Sequence, residues 1–171
     1  MIFVTLGSQK FQFNRLLEAI DSLIAAGAIT EEVFAQTGYS DYVPVHYAYR
    51  KFLDGTEFRE KMKQADTVIT HGGTGAIISA VREHKTVIAV PRQAAFGEHV
   101  DDHQKEIVRE FGELNYIQPC MNVSDLGEAL IQARQKTFSE YHSNTGRFIG
   151  DIDDYLQSEI INKNDSRSRR L

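Results

Sequence analysis

Disulfide-forming cysteines, long apolar runs and an excess of positive charge are all missing from this chain. Its 171 residues include a single cysteine, Cys120, so no internal disulfide can form and a reducing, cytoplasmic location is expected. No neighbour in the sequence would lower the pKa of this thiol, so we expect no catalytic role for it. No apolar run approaches the ~20 residues that cross a bilayer. The formal net charge of −5 argues against a general nucleic-acid-binding protein.

What the chain does have is the composition of a single globular domain. It is 42% hydrophobic and 25% charged, which supplies enough apolar side chains for a core. The first residues, 1–6, are mostly apolar but carry no basic n-region, and Gly7 follows at once. We interpret this segment as a buried strand and not as a signal peptide.

Short β-rich runs alternate with amphipathic helical patterns along most of the chain. Strands are predicted at 2–6, 33–37, 43–49, 68–70, 87–90 and 116–117. Helices are predicted at 13–24, 55–64, 77–81, 101–111 and 123–134. This alternation indicates a doubly wound α/β fold, in which helices cover both faces of a parallel sheet. Ligands of such folds bind beyond the carboxyl ends of the strands.

A glycine-rich turn, Gly72-Gly73-Thr74-Gly75, lies between a predicted buried strand and a predicted helix. Glycine lets the backbone approach a ligand closely, and the start of a helix offers free N–H groups to a phosphate. The turn is not a P-loop, because no Gly-Lys-Ser/Thr follows, and it lacks the Gly-x-Gly-x-x-Gly spacing of a dinucleotide-binding turn. On spacing alone, a tight turn with Thr74 as the helix N-cap explains the pattern equally well.

Another polar segment, 92–104, follows the predicted fifth strand. His99 and His103 are four residues apart and could share a helix face, so a metal site is one interpretation. The zincin pattern, however, needs a glutamate directly after the first histidine, and Val100 stands there. The other interpretation is an acidic, solvated helix start, in which the negative charges of the neighbouring aspartates are stabilised by the positive end of the helix dipole. We favour the solvated helix start and expect no metal site here.

Together these segments resemble the nucleotide-sugar-binding half of the family 28 glycosyltransferases. The resemblance is carried by Gly7-Ser8, Gln36-Thr37-Gly38, Ala65-Asp66, His71-Gly72-Gly73-Thr74-Gly75 and Glu98-His99-Val100-Asp101-Asp102-His103-Gln104. It runs from Ile2 to about Phe111 and is strongest toward the PssE-type small subunits of bacterial capsule and exopolysaccharide synthesis. It implies a Rossmann-like domain over 1–150, equivalent to the C-terminal half of a GT-B glycosyltransferase.

For the phosphate end of the ligand, the resemblance implies a site made of backbone groups. The amides of Gly73, Thr74 and Gly75 would hold the UDP diphosphate, and Ser8 would face it from the first loop. No cofactor and no catalytic side chain is implied in this half. The complete set of residues predicted to bind UDP-sugar is Gly7, Ser8, Gln36, Thr37, Gly38, Phe52, Leu53, His71, Gly72, Gly73, Thr74, Gly75, His99, His103 and Gln104.

For the rest of the ligand, the resemblance implies contacts from other loops. The segment Phe52-Leu53 matches one that holds uracil through its backbone. The pair His103-Gln104 matches a polar pair that reads the sugar hydroxyls, and His99 also has a counterpart there. Ser79 departs from the family, whose members commonly place a ribose-binding glutamate at that position. How ribose is bound is therefore left open.

The resemblance and the chain length together predict a two-component enzyme. A complete transferase of this architecture carries its acceptor and catalytic base on an N-terminal half, which we expect to be missing because the first strand begins at Ile2. We expect a donor-binding subunit that transfers a hexose, galactose from UDP-galactose with inversion, to a lipid-linked sugar. A membrane-anchored acceptor-half partner would recruit it to the membrane. The alternatives are a non-catalytic enhancer or scaffold subunit and an unrelated Rossmann-like enzyme.

A separate C-terminal element is predicted over 151–171. A last helix would carry Ile152, Tyr155, Leu156 and Ile160 on an apolar face. That face either docks on a partner or packs back on the sheet. The polar tail that follows contains Arg167, Arg169 and Arg170, which either add attraction to anionic lipid or are only solvated.

Overall fold

The computed structural model describes residues 1–142, in which six parallel strands form one sheet in the order β3-β2-β1-β4-β5-β6. Residues up to Glu140 form one compact unit. The strands are β1 (Ile2–Thr5), β2 (Val33–Gln36), β3 (Ala48–Arg50), β4 (Thr67–His71), β5 (Thr86–Val90) and β6 (Gln118–Pro119). This strand order confirms the predicted doubly wound, Rossmann-like fold.

Helices cover both faces of the sheet, as the two-sided burial of its strands requires. They are α1 (Asn14–Ala25), α2 (Gly55–Gln64), α3 (Thr74–Arg82), α4 (His103–Glu113) and α5 (Leu126–Gln135). Successive side chains of a strand point to opposite faces. On one face Ile2 and Val4 join a core cluster with apolar residues of α1 and α5. On the other face Phe3 packs edge-to-face on Phe58 of α2, with ring centroids 5.4 Å apart.

The strand order reverses at β1, the point that determines where a ligand can bind. β1 pairs with β2 in the register Ile2↔Val33 and with β4 in the register Ile2↔Thr67. The chain therefore leaves β1 toward one side for β2 and β3 and continues on the other side with β4, β5 and β6. In open α/β sheets a crevice forms outside the carboxyl ends of the strands at such a point. The loops after β1 and β4 border this crevice.

The third strand, predicted at 43–49, is present as β3, but residues 43–47 are not part of it, because only Ala48–Arg50 pairs with β2. The preceding residues are held instead by Asp21, a buried carboxylate on α1. It accepts the backbone N–H groups of Val45 and His46, each at 2.8 Å, and the hydroxyl of Tyr42 at 2.7 Å. Although burial opposes ionisation, these hydrogen bonds hold the pKa of Asp21 below its ordinary value. Alternating apolar residues therefore form a loop pinned by a carboxylate.

Two predicted elements near the end of the described chain are displaced by two residues. The helix predicted at 101–111 is α4, and the strand predicted at 116–117 is β6. The helix starts late because the Asp101 carboxylate accepts the N–H of His103 at 3.2 Å, ahead of its first turn. It ends at Glu113, and Asn115, with a φ of +57°, then lets the Tyr116 N–H donate to the Phe111 carbonyl at 3.0 Å.

None of the helices in the described part of the chain is long and apolar enough to span a bilayer. The predicted C-terminal helix and basic tail, 151–171, lie outside the described residues.

Candidate functional site

A cleft with two adjoining lobes lies at the carboxyl ends of β1, β2 and β4. The α2 lobe, of about 460 Å³, is lined by Thr5, Gly7, Ser8, Gln36, Leu53, Asp54, Gly55, Phe58, Arg59, Gly75, Ala76 and Ser79. The α4 lobe, of about 480 Å³, is lined by Gly7, Ser8, Gln9, His71, Gly73, Thr74, Gly75, Ala76, His99, His103, Gln104 and Ile107. The lobes share Gly7, Ser8, Gly75 and Ala76, so they meet between the first loop and the glycine-rich turn.

The glycine-rich turn offers hydrogen-bond donors at this meeting point. Within residues 1–142, the backbone N–H groups of Gly73, Thr74 and Gly75 have no protein partner. Gly73 is the N-cap of α3 and Thr74 its first helical residue, so the interpretation of Thr74 as the N-cap is wrong. No side chain caps this helix end. Free N–H groups at the positive end of a helix dipole form a site for an anion such as phosphate.

Each glycine of the turn meets a different environment. A Cβ on Gly72 would lie 2.8 Å from the Gln104 Cβ and 2.9 Å from its carbonyl oxygen, so this glycine permits close packing. A Cβ on Gly73 would overlap the ring of His71. A Cβ on Gly75 would meet no atom within 4 Å and would project into open space. Gly75 is therefore the position at which a side chain competes with a ligand and not with the protein.

His71 lies beneath the loops that meet at the cleft. A Cβ on Gly7 would lie 2.8 Å from its ring, and Gly7 itself has a φ of +71°, so no other residue fits there without strain. Burial, followed by the nearby charge of Arg92, lowers the pKa of His71 to about 4. The ring is therefore neutral at pH 7. It supports Gly7 and Gly73 without adding a charge to the cleft.

Gln104 ties the glycine-rich turn to the loop after β5. Its side chain is 3% exposed, and its Oε1 accepts the N–H groups of Gly72 and Arg92, each at 3.1 Å. Two backbone donors on one oxygen fix the orientation of the amide. The amide nitrogen has no protein partner in the described part of the chain and is left to donate to a ligand. Toward the α4 lobe, Gln104 can therefore only donate.

Sequence reasoning missed the group that holds the first loop in place, Arg92. Its guanidinium is fully buried and donates to the carbonyls of Leu6 at 2.7 Å, Gln12 at 2.8 Å and Phe11 at 2.9 Å. Burial lowers the pKa of Arg92 to about 10, so it stays charged at pH 7. No local spacing marks this residue, because its acceptors lie about 80 residues away in sequence.

A buried carboxylate accompanies this arginine. Glu98 is fully buried and forms a two-oxygen salt bridge with Arg15 of α1, at 2.6 and 2.9 Å. Its Oε2 also accepts the N–H of Gln93 at 2.9 Å. Buried charged groups are tolerated when they are paired with an opposite charge and form several hydrogen bonds. The network fixes the loop that leads from β5 to the α4 lobe.

His99, Asp101 and His103 form a cluster at the wall of the α4 lobe. The Asp101 Oδ1 contacts Nδ1 of His103 and lies 3.2 Å from Nδ1 of His99. The ring of His99, with a side chain 9% exposed, packs between the rings of Phe11 and His103, edge-to-face on the latter. The ligand atoms of the three residues lie within 4.8 Å of one another, close enough to hold one cation. Asp101 orients both imidazoles, because its carboxylate hydrogen-bonds to His103 and its backbone N–H donates to Nδ1 of His99 at 3.4 Å.

In the α2 lobe, Gln36 bridges the first loop and the segment after β3. Its Nε2 donates to the Gly7 carbonyl and its Oε1 accepts the Leu53 N–H, both at 3.3 Å. Four predicted residues line neither lobe, namely Thr37, Gly38, Phe52 and Gly72, and the other predicted site residues do. Phe52 contacts the ring of Tyr39 and is 45% exposed.

Two charged residues of the α2 lobe that sequence reasoning missed lie at the N-cap of α2 and within it. Asp54 is its N-cap, and its Oδ1 accepts the N–H groups of Thr56 and Glu57 at 2.8 and 2.9 Å. The N-cap pattern that marks Asp54 could have been found in the sequence. Arg59, one turn further, carries no comparable signal.

The fold and the cleft define a Rossmann-like domain with free backbone N–H groups at its switch point. The chain belongs to the glycosyltransferase family 28 C-terminal domain, whose family model matches residues 1–154. In sequence it is similar to "UDP-N-acetylglucosamine transferase subunit ALG13" of Saccharomyces cerevisiae, with 34% identity over 71 residues, or 39% of this chain and 33% of that protein. The Candida albicans protein of the same name is 25% identical over 113 residues, or 66% of this chain and 34% of that protein. The match thus spans about a third of the length of each of these relatives.

Three solved structures show the same fold at low identity. Acinetobacter baumannii MurG aligns with a TM-score of 0.54 at 16% identity, covering 87% of this chain and 48% of that one. The "Glycotransferase of kitacinnamycin" aligns with a TM-score of 0.56 at 17% identity, covering 79% and 35%. The solution structure of ALG13 aligns with a TM-score of 0.56 at 18% identity, covering 88% and 93%.

Proposed function

We propose that this protein is the donor-binding subunit of a two-component glycosyltransferase that uses a UDP-sugar. The observation that carries the proposal is the set of free N–H groups at Gly73, Thr74 and Gly75, where the two lobes meet. A diphosphate bound there would direct a nucleoside into one lobe and a sugar into the other. The curated relatives are named as subunits of a UDP-N-acetylglucosamine transferase, which supports this ligand class.

The α4 lobe has the polarity expected of a sugar site. Ionised Asp101 only accepts hydrogen bonds, so Nδ1 of His103 is the ring nitrogen that donates to it, and the tautomer with this single N–H has Nε2 as an acceptor. Gln104 presents a donor beside it. A sugar hydroxyl can donate to His103 and a neighbouring one can accept from Gln104. The pair therefore suits a vicinal diol.

The proposed chemistry needs no catalytic base in this chain. Donors fixed at a helix start stabilise the charge that develops on a departing nucleoside diphosphate. Removal of the acceptor proton is assigned to the partner. By the sequence resemblance, the donor is UDP-galactose and the acceptor a lipid-linked sugar of capsule or exopolysaccharide synthesis. The partner would be membrane-anchored, and this chain would be recruited to it from the cytoplasm.

Calorimetry with UDP, UDP-galactose and UDP-N-acetylglucosamine tests the proposal. We expect each UDP-sugar to bind more tightly than UDP, and the tighter of the two identifies the donor. His103→Ala should weaken the UDP-sugars roughly tenfold and leave UDP unchanged, because His103 lines only the α4 lobe. Absence of binding by all three ligands would contradict the proposal. Transfer assays with and without a candidate acceptor subunit then distinguish an obligatory donor half from an enhancer.

A further inference from the structure

The cluster of His99, Asp101 and His103 contains a set of ligand atoms that the two histidines alone did not suggest. The sequence places the histidines four residues apart, and the structure adds a carboxylate between them. The Asp101 Oδ1 contacts Nδ1 of His103 and lies 3.2 Å from Nδ1 of His99. Two imidazole nitrogens and one carboxylate oxygen therefore meet at the wall of the α4 lobe.

The spacing of these atoms fits the coordination sphere of zinc. Zinc binds histidine nitrogens and carboxylate oxygens at about 2.0–2.2 Å in a tetrahedral arrangement, so two of its ligand atoms lie about 3.3 Å apart. The distance of 3.2 Å between His99 and Asp101 already meets this requirement. All three ligand atoms lie within 4.8 Å of one another, and the side chain of His103 is 47% exposed. A rotation of this exposed ring can therefore complete the site.

The most buried of the three ligands, His99, is held in an orientation that suits a metal ion. Its ring packs between those of Phe11 and His103. Its Nδ1 accepts the backbone N–H of Asp101 at 3.4 Å, so this nitrogen presents an electron pair, as a metal ligand must. Among the described residues that line the α4 lobe, none is a lysine or an arginine. A metal ion would therefore meet no competing cation from the side chains of this lobe.

We propose that Nδ1 of His99, Oδ1 of Asp101 and Nδ1 of His103 form a binding site for a divalent transition-metal ion, with zinc as the ion that these ligands suit best. Two imidazoles favour zinc over magnesium and calcium, which prefer oxygen ligands. Three protein ligands leave the fourth tetrahedral position of zinc to a water molecule.

Zinc at this site changes the polarity of the α4 lobe, a consequence that rests on the proposed function. Without the metal, Nδ1 of His103 donates to Asp101 and Nε2 accepts. With zinc on Nδ1, the single proton of the neutral ring resides on Nε2, which then donates. A sugar hydroxyl that donates to Nε2 loses its acceptor. Zinc should therefore weaken the binding of a UDP-sugar and not that of UDP.

Calorimetric titration of the full chain with Zn²⁺, after removal of metals with a chelator, tests the site itself. We expect the wild type to bind zinc and to show no comparable binding of Mg²⁺. Asp101→Asn and His99→Phe should each weaken zinc binding by roughly tenfold or more, and His99→Phe keeps a ring against Phe11.

Asp102→Asn is the matched control for Asp101→Asn. It removes the same charge from the next residue, whose carboxylate accepts the N–H of Ala94 at 2.9 Å and pairs with Lys105 at 2.7 Å. This control should keep the zinc affinity of the wild type.

Titration with UDP and with a UDP-sugar, each with and without saturating zinc, tests the change of polarity. In the wild type, zinc should weaken the UDP-sugar relative to UDP by roughly tenfold. Zinc also binds the phosphates of free nucleotides, and this effect is common to both ligands. In Asp101→Asn, the ratio of the two affinities should not respond to zinc.

Four results distinguish the site from its consequence. Absence of zinc binding by the wild type, or undiminished zinc binding by Asp101→Asn and His99→Phe, would overturn the site. A loss as large in Asp102→Asn would also overturn it, by showing a general effect of charge. An unchanged ratio of UDP-sugar to UDP affinity at saturating zinc would overturn the change of polarity. Failure of the wild type to bind any UDP-sugar would contradict the proposed function, while the zinc titration would still decide the site.

Discussion

Gln104 and Gly72 are joined by a hydrogen bond of 3.1 Å, in which the backbone N–H of the glycine donates to the side-chain oxygen of the glutamine. The same oxygen accepts the N–H of Arg92. A residue predicted to read a sugar is thus also a link between two loops of the cleft. The amide oxygen of Gln104 is bonded within the protein, and its amide nitrogen is left for the α4 lobe.

Replacement of Gln104 by alanine is therefore expected to affect stability as well as binding. Two buried N–H groups would lose their acceptor, which lowers the free energy of unfolding by about 1–3 kcal/mol. Because the glycine-rich turn is attached to Gln104, the affinities for UDP and UDP-sugar should both fall. Urea unfolding and calorimetry measure these effects. His103→Ala, in the exposed neighbour, is the control and should retain full stability. If the Gln104 variant lost affinity for UDP-sugar but kept its stability and its affinity for UDP, the two hydrogen bonds of Gln104 would not stabilise the glycine-rich turn.

Gly75→Val is expected to block the anion site without harming the fold. A Cβ at Gly75 meets no protein atom within 4 Å and would lie in the open space beside the free N–H groups. UDP binding should be lost in calorimetry while the unfolding curve stays close to that of the wild type.

Two neighbouring glycines provide the contrast for this experiment. Gly72→Ala should be destabilising because its Cβ would press on Gln104, and Gly73→Val should displace His71. The Gly73 variant is thus unsuitable for isolating the ligand site. Unchanged UDP affinity in Gly75→Val would remove the turn from the site.

Histidine 71 should make the protein less stable in mild acid. The unfolded chain takes up a proton on this ring near pH 6.5, but the folded protein does so only near pH 4, because of burial and the charge of Arg92. Between these values the unfolded state binds more protons. Stability is therefore complete above pH 6.5 and declines as the pH falls toward 4, by roughly 3 kcal/mol from this group.

Urea unfolding at several pH values measures the effect. Lowered carboxylate pKa values, such as that of Asp21, contribute a decline of the same sign at still lower pH. The comparison of the wild type with His71→Gln isolates the histidine, since the variant keeps the carboxylates. Parallel curves for the two proteins between pH 6.5 and 4 would show that the ring is not held neutral by its surroundings.

The sheet could be predicted from the sequence because its information is local. Buried runs such as Ile2–Thr5 and Thr86–Val90 are short, apolar and separated by helical periodicity, and this pattern is enough to specify parallel order. The failure at 43–47, ahead of β3, has an equally clear cause. Alternating side chains predict a strand, but the backbone donors of Val45 and His46 bond to Asp21 on another element. A contact between distant residues overrode the local pattern.

The site shows the same limit. The glycine-rich turn can be recognised in the sequence, and two of its glycines, Gly72 and Gly73, stand where a Cβ would overlap Gln104 and His71. The support beneath it was not recognisable, because Arg92 bonds to carbonyl oxygens, which every residue carries. A backbone carbonyl that accepts a hydrogen bond can belong to any residue type, so the sequence does not reveal it. Sequence reading therefore finds the groups that face a ligand more readily than those that hold them in place.

The residues shared by the two lobes, Gly7, Ser8, Gly75 and Ala76, have a consequence for turnover. A ligand that fills both lobes is held as two connected fragments, and each raises the effective concentration of the other at its own lobe. When the bond between the fragments breaks, this gain in effective concentration is lost. Each product then keeps only the contacts of its own lobe and dissociates at its own rate. With the proposed donor bound, a cleft of this form would thus retain an intact UDP-sugar and release UDP without having to open.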